Sequence, residues 1–128
     1  MGRPVNSNVQ REATAPLNTK VNKKVFEDFK DCCGRYGYPM NVMLETFMRQ
    51  YSNGKFKLYH DDIMKFKDDG NEEDTLNTTF NKEIYQNFKS TCKGNGYFVK
   101  HVITAFMEKY ATGDFILEYT NVANKNDK

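Results

Sequence analysis

Tryptophan is absent from the 128 residues, histidine occurs twice, and proline and cysteine three times each. Cys32, Cys33 and Cys92 are an odd set without a Cys-x-x-Cys pair, which argues against a disulfide framework or a zinc site and fits buried thiols in a reducing compartment. His60 and His101 stand apart from any cysteine or carboxylate cluster at metal-ligand spacing, so no metal site is expected. No phosphate-cradling glycine loop and no nucleophile beside a positioned base can be picked out, so neither an enzyme nor a cofactor is expected. No stretch approaches the ~18 apolar residues of a membrane span, and MGRPVNSNVQREATAP lacks the apolar centre of a secretory signal. These absences predict a globular cytoplasmic protein, of a nucleoid or a host cell cytoplasm, with no membrane partner.

What is present is aromatic and cationic. Ten Phe and eight Tyr within a 38% hydrophobic composition can fill one core in a 15.0 kDa chain. The net charge of +2 hides an uneven distribution: residues 17–59 carry about +4, residues 60–75 about −5, and residues 76–119 about +1. Binding of a polyanion depends on local charge within a Debye length of ~8 Å, so a basic first half matters more than the total.

The chain also repeats itself. A shift of 59 residues aligns Leu17–Leu58 with Leu76–Leu117 without a gap, with 16 of 42 positions identical, among them Asn18/Asn77, Asn22/Asn81, Phe29/Phe88, Cys33/Cys92, Phe47/Phe106 and Tyr51/Tyr110. Each copy opens on an alternating stretch, Leu17–Val21 or Leu76–Phe80, whose period of two predicts a strand showing Asn18 and Lys20, or Asn77 and Thr79, on one face. The period then becomes helical. Val25, Phe26, Phe29, Cys32, Cys33 and Tyr36 predict an apolar helix face, with Asn22 as N-cap and Gly37 as terminator. Ile84, Tyr85, Phe88 and Cys92 do the same after Asn81, ending near Gly96. A second helix follows in each copy, on Met40, Met43, Leu44, Phe47, Met48 and Tyr51, and on Val99, Val102, Ile103, Phe106, Met107 and Tyr110. The predicted order is strand, helix, helix, twice. A unit of ~40 residues is too small to stand alone, so the two strands are expected to pair antiparallel over four interlocked helices.

The run LNTKVNKKVFEDFKDCCGRYGYPMNVMLETFMRQY and its second copy resemble the ribbon-helix-helix (MetJ/Arc) superfamily of DNA-binding proteins. The resemblance covers residues 16–56 and 75–115, and two copies in one chain are similar to the layout of the conjugation protein TraY and some viral repressors. It implies a mainly α fold with a short two-stranded antiparallel β-ribbon, a tandem ribbon-helix-helix pseudodimer whose ribbon enters the major groove of double-stranded DNA. It further implies that Asn18, Lys20, Asn77 and Thr79 contact base edges, and their chemistry suits that role: Asn pairs with adenine, Lys reaches guanine acceptors, and Thr bonds either base or touches a thymine methyl. Phosphate would be anchored at the start of the second helices, by Tyr38 and Asn41 and by Tyr97 and Lys100, although the Ser or Thr common there in the family is missing. Where Arc repressor buries an Arg-Glu-Arg triad, the matching positions here, Tyr38, Met43 and Phe47, and Tyr97, Val102 and Phe106, are apolar or aromatic.

The expected organisation is therefore a flexible N-terminal arm (1–16), repeat 1 (17–58), an acidic connector (59–75), repeat 2 (76–117) and a C-terminal tail (118–128). Arg3 and Arg11 in the arm are candidates for minor-groove contacts. In the connector, FKLYH has a strand-like start echoed by FILEY after the second copy, DDIMKF is ambiguous, and Asp68, Asp69, Glu72, Glu73 and Asp74 read as a solvated linker placed off the DNA face. The expected role is transcriptional repression. The alternatives are an accessory protein of a plasmid relaxosome or partition complex and, from another class, an antitoxin or interaction module whose connector or tail holds a protein partner. Lys20 differs from its counterpart Thr79, so the preferred site is expected not to be a perfect palindrome, with further molecules associating on adjacent sites. The Asn- and Lys-rich composition fits the AT-rich genome of a bacterium, plasmid or virus.

Overall fold

The polar and apolar alternation carries through nine residues in each copy rather than five. The computed structural model describes residues 13–67 and 70–113, and within them runs β1 (Thr14–Asn22), α1 (Lys23–Tyr36), α2 (Met40–Ser52), α3 (His60–Met64), β2 (Glu73–Asn81), α4 (Lys82–Gly94) and α5 (Val99–Thr112). β2 begins and ends 59 residues after β1, and α4 and α5 begin 59 residues after α1 and α2, which is the offset of the sequence repeat. The chain is mainly helical with one two-stranded antiparallel sheet among the described residues.

Each strand turns directly into a helix because an asparagine stands at the junction. The Oδ1 atoms of Asn22 and Asn81 accept from the backbone N–H of Val25 and Ile84, both at 3.0 Å, satisfying a donor that the first turn would otherwise leave open. α1 stops at Gly37 and α5 at Gly113, whose φ of 78° and 82° lie in the left-handed region that glycine enters without strain.

The helices pack across the repeat rather than within it. α1 lies against α5 and α2 against α4, beneath a ribbon whose inward residues Leu17, Val21, Leu76 and Phe80 are buried. Rings carry these contacts: Phe29 meets Phe106 and Tyr110 edge-on, each at 5.7 Å, and Phe88 meets Phe47 and Tyr51, each at 5.6 Å. Between the two sets Phe47 stacks on its own counterpart Phe106, with centroids 4.2 Å apart and planes 9° from parallel. Met43 and Val102 are buried beside them.

Several expectations need correction. Tyr36, placed on the apolar face of α1, is 64% exposed, because it is the last residue of that helix; its counterpart Asn95 shows that the position is not a core position. Residues 57–59 form no strand; instead Phe56 and Leu58 pack onto the core, the Phe56 ring 5.1 Å from that of Phe47. DDIM lies within α3, tied to α5 by fully buried Ile63 and by the ion pairs Lys65 with Glu108 (2.8 Å) and Asp62 with Lys109 (3.3 Å). Glu73 and Asp74 belong to β2 and not to a linker. Arg3, Arg11, Asp68, Asp69, FILEY and the tail lie outside the described residues.

Phe106→Ala should destabilise the fold by about 3–5 kcal/mol, measured by denaturant titration, since the ring is wholly buried at the crossing of both copies. Burial, helped by neighbouring Cys32, pushes the Cys33 thiol up to about 11, and burial pushes Cys92 from 9.0 to about 12. Folding therefore holds these protons more tightly than the unfolded chain does. Their contribution to stability should be complete below pH 9.0 and fall as pH rises toward about 11 to 12, read as a lower denaturation midpoint at about pH 10 than at about pH 8.

Candidate nucleic-acid interface

The outward face of the ribbon follows from its register. Lys23 N–H donates to Glu72 O at 2.9 Å and Lys82 N–H to Ala13 O at 3.0 Å, so at both ends of the ribbon the odd-numbered positions of the first strand make the hydrogen-bonded pairs. Pro16, which has no N–H, falls in the other set and breaks no ladder bond. The three central pairs of that set are Pro16 with Thr79, Asn18 with Asn77 and Lys20 with Thr75, and all six residues are exposed. Non-hydrogen-bonded pairs bring their Cα atoms to ~4.5 Å, so the six side chains form one close-set double row.

Asn18 and Asn77 are equivalent in the repeat and face each other directly, which puts them at the middle of the ribbon. Lys20 is exposed and extends from one side of this centre; Thr79 lies on the other side. The four residues singled out from the sequence as base readers are thus brought together. Pro16 and Thr75 complete the row, and sequence reasoning missed them. The signal is there in the alternation continued backwards from Leu17 and Leu76, but Pro16 falls in the expected arm and Thr75, after Glu73-Asp74, in the expected connector.

The open N–H of Asn81, on the outer edge of β2, is taken by Glu45 Oε2 at 2.7 Å. This bond fixes α2 against the ribbon end. In the other copy the matching residue is Thr104, whose hydroxyl instead donates to Lys100 O at 2.6 Å within its own helix.

The expected phosphate anchors are more dispersed. α2 and α5 start at Pro39 and Phe98 without a side-chain cap, and Asn41 is exposed in the first turn of α2. Tyr38 and Tyr97 are half-buried against the core, and the Tyr97 hydroxyl lies 2.7 Å from His60 Nδ1. Lys100 Nζ pairs with Glu73 Oε2 at 3.3 Å. Glu73 is exposed at the ribbon end opposite Asn22, so the acidic run expected to lie off this face reaches it, because strand pairing extends further than the alternation suggested. Glu72 pairs with Lys23 at 3.5 Å, a contact between exposed side chains that contributes little.

No protein-family model, curated protein or solved structure gives a match to the chain. Among the described residues no group of three or more His, Cys, Asp or Glu could hold a metal ion, and no helix is long and apolar enough to cross a membrane.

Proposed function

We propose that the chain is a tandem ribbon-helix-helix pseudodimer that binds double-stranded DNA sequence-specifically, with its ribbon in the major groove, and acts as a transcriptional repressor. The observation that carries this reading is the double row of six exposed side chains centred on Asn18 and Asn77. A major groove ~12 Å wide admits a two-stranded ribbon, and asparagine, lysine and threonine are side chains that discriminate base edges there. The common offset of strands and helices, the exchange of helix partners between copies and the capping asparagines support the pseudodimer arrangement. Repression needs only occupancy of an operator, so the location of the bound sites separates this role from a relaxosome or partition complex: promoter overlap for the first, a transfer origin or centromere-like array for the second.

In this reading the uncapped starts of α2 and α5 flank the ribbon and face phosphate, with Asn41 and Lys100 in their first turns. Glu73 holds Lys100 in the free protein, so a phosphate at that end has to displace a carboxylate.

Selection of bound duplexes from a random pool at ~150 mM salt should enrich a motif with the wild-type protein and none with a variant carrying alanine at 18, 20, 77 and 79. Asn18→Ala with Asn77→Ala alone should leave thermal unfolding unchanged and weaken the enriched duplex by ~1–3 kcal/mol per lost bidentate contact; undiminished affinity would remove the ribbon from the interface. Glu73→Gln, by freeing Lys100, should tighten binding about two- to fivefold at low salt, and the gain should shrink as salt is raised. Weaker binding by that variant would mean that Glu73 contacts the DNA favourably.

A further inference from the structure

We infer that the two ends of the ribbon read different bases, Lys20 with Thr75 selecting a guanine and Pro16 with Thr79 selecting thymine, so that the protein sits on its duplex in one orientation. This rests on the DNA-binding reading and deepens it. The register sorts the outward residues about the Asn18 and Asn77 pair: Lys20 stands beside Thr75 on one side, Pro16 beside Thr79 on the other. Strand by strand the same residues read Pro, Asn, Lys in β1 and Thr, Asn, Thr in β2. The only charge in the row is therefore at one end.

The chemistry of the ends differs accordingly. A lysine ammonium is a donor without an acceptor, and in the major groove guanine offers it two acceptors, O6 and N7. Beside it the Thr75 hydroxyl can bond either base. At the opposite end Pro16 offers ring carbons and no side-chain donor, and Thr79 offers a methyl group and one hydroxyl. That pair suits the apolar 5-methyl of thymine and gives no charged donor to guanine. The difference continues outward, where the Lys20 side ends in Asn22 opposite Glu73 and the Pro16 side in Thr14 opposite the uncharged Asn81. Between the ends the two asparagines, equivalent by the repeat, suit adenines on both sides of the centre. The bound site is then a broken palindrome with a guanine confined to one half and thymine in the other.

Pro16→Thr combined with Lys20→Thr makes the outward face Thr, Asn, Thr on both strands, removing the asymmetry with two substitutions at exposed positions. Selection from a random pool should give an asymmetric motif for the wild type and a palindromic one lacking the guanine for the double variant. On the wild-type motif, replacing that guanine by 7-deazaguanine should weaken wild-type binding roughly tenfold, and replacing thymine by uracil in the opposite half should weaken it several-fold. These base-analogue measurements need no variant to fold. A palindromic wild-type motif, or a guanine preference that the double variant keeps, would overturn the inference while leaving the ribbon as the DNA-binding face. Absence of any motif with the wild type would sink the DNA-binding reading and this inference together.

Discussion

The contact between Phe47 and Phe106 is the constraint from which the rest of the structure follows. The two rings are counterparts in the repeat, both wholly buried, and they stack where α2 and α5 meet. Around them Phe29 meets Phe106 and Tyr110 of the second copy, and Phe88 meets Phe47 and Tyr51 of the first. Neither copy can cover its own apolar helix faces, so folding has to bring both together. The ribbon is then positioned by what lies beneath it. Leu17, Val21, Leu76 and Phe80 must point into this core, and a slip of one residue between the strands would turn the inward pair of one strand to solvent, so the register is set and the outward row with it.

Much of this was legible in the residues. The offset of 59 separates strand from strand and helix from helix, the capping role of Asn22 and Asn81 follows from residue type and position, and alternation sends Asn18, Lys20, Asn77 and Thr79 to one face. What escaped has identifiable causes. Pro16 was hidden because proline usually ends a strand, yet in a two-stranded ribbon a residue in a non-hydrogen-bonded pair needs no N–H. Thr75 and Glu73 were hidden because two acidic neighbours look like a solvated linker, while strand pairing with β1 overrides local polarity. Tyr36 looked like core because helical periodicity does not reveal that the last residue of the helix lies beyond its packed face. The role of α3 depends on ion pairs to Lys109 and Glu108, which are more than 40 residues away and invisible to any local pattern.

The two copies share an architecture without sharing every contact. Glu45 ties α2 to the end of β2, whereas Thr104 spends its hydroxyl inside α5. Lys100 is held by Glu73, whereas the matching Asn41 is exposed. These differences lie in side chains around a common frame. They change charge and hydrogen bonding at each end of the ribbon without moving the elements that carry it.

Both strands of the ribbon belong to one polypeptide. Assembly of the ribbon is therefore unimolecular, and the folded fraction does not depend on how many copies of the protein a cell contains. A two-chain ribbon would come apart on dilution and would impose every substitution on both of its halves. In this chain a change in one strand leaves the other as it was, so each half can acquire its own surface independently.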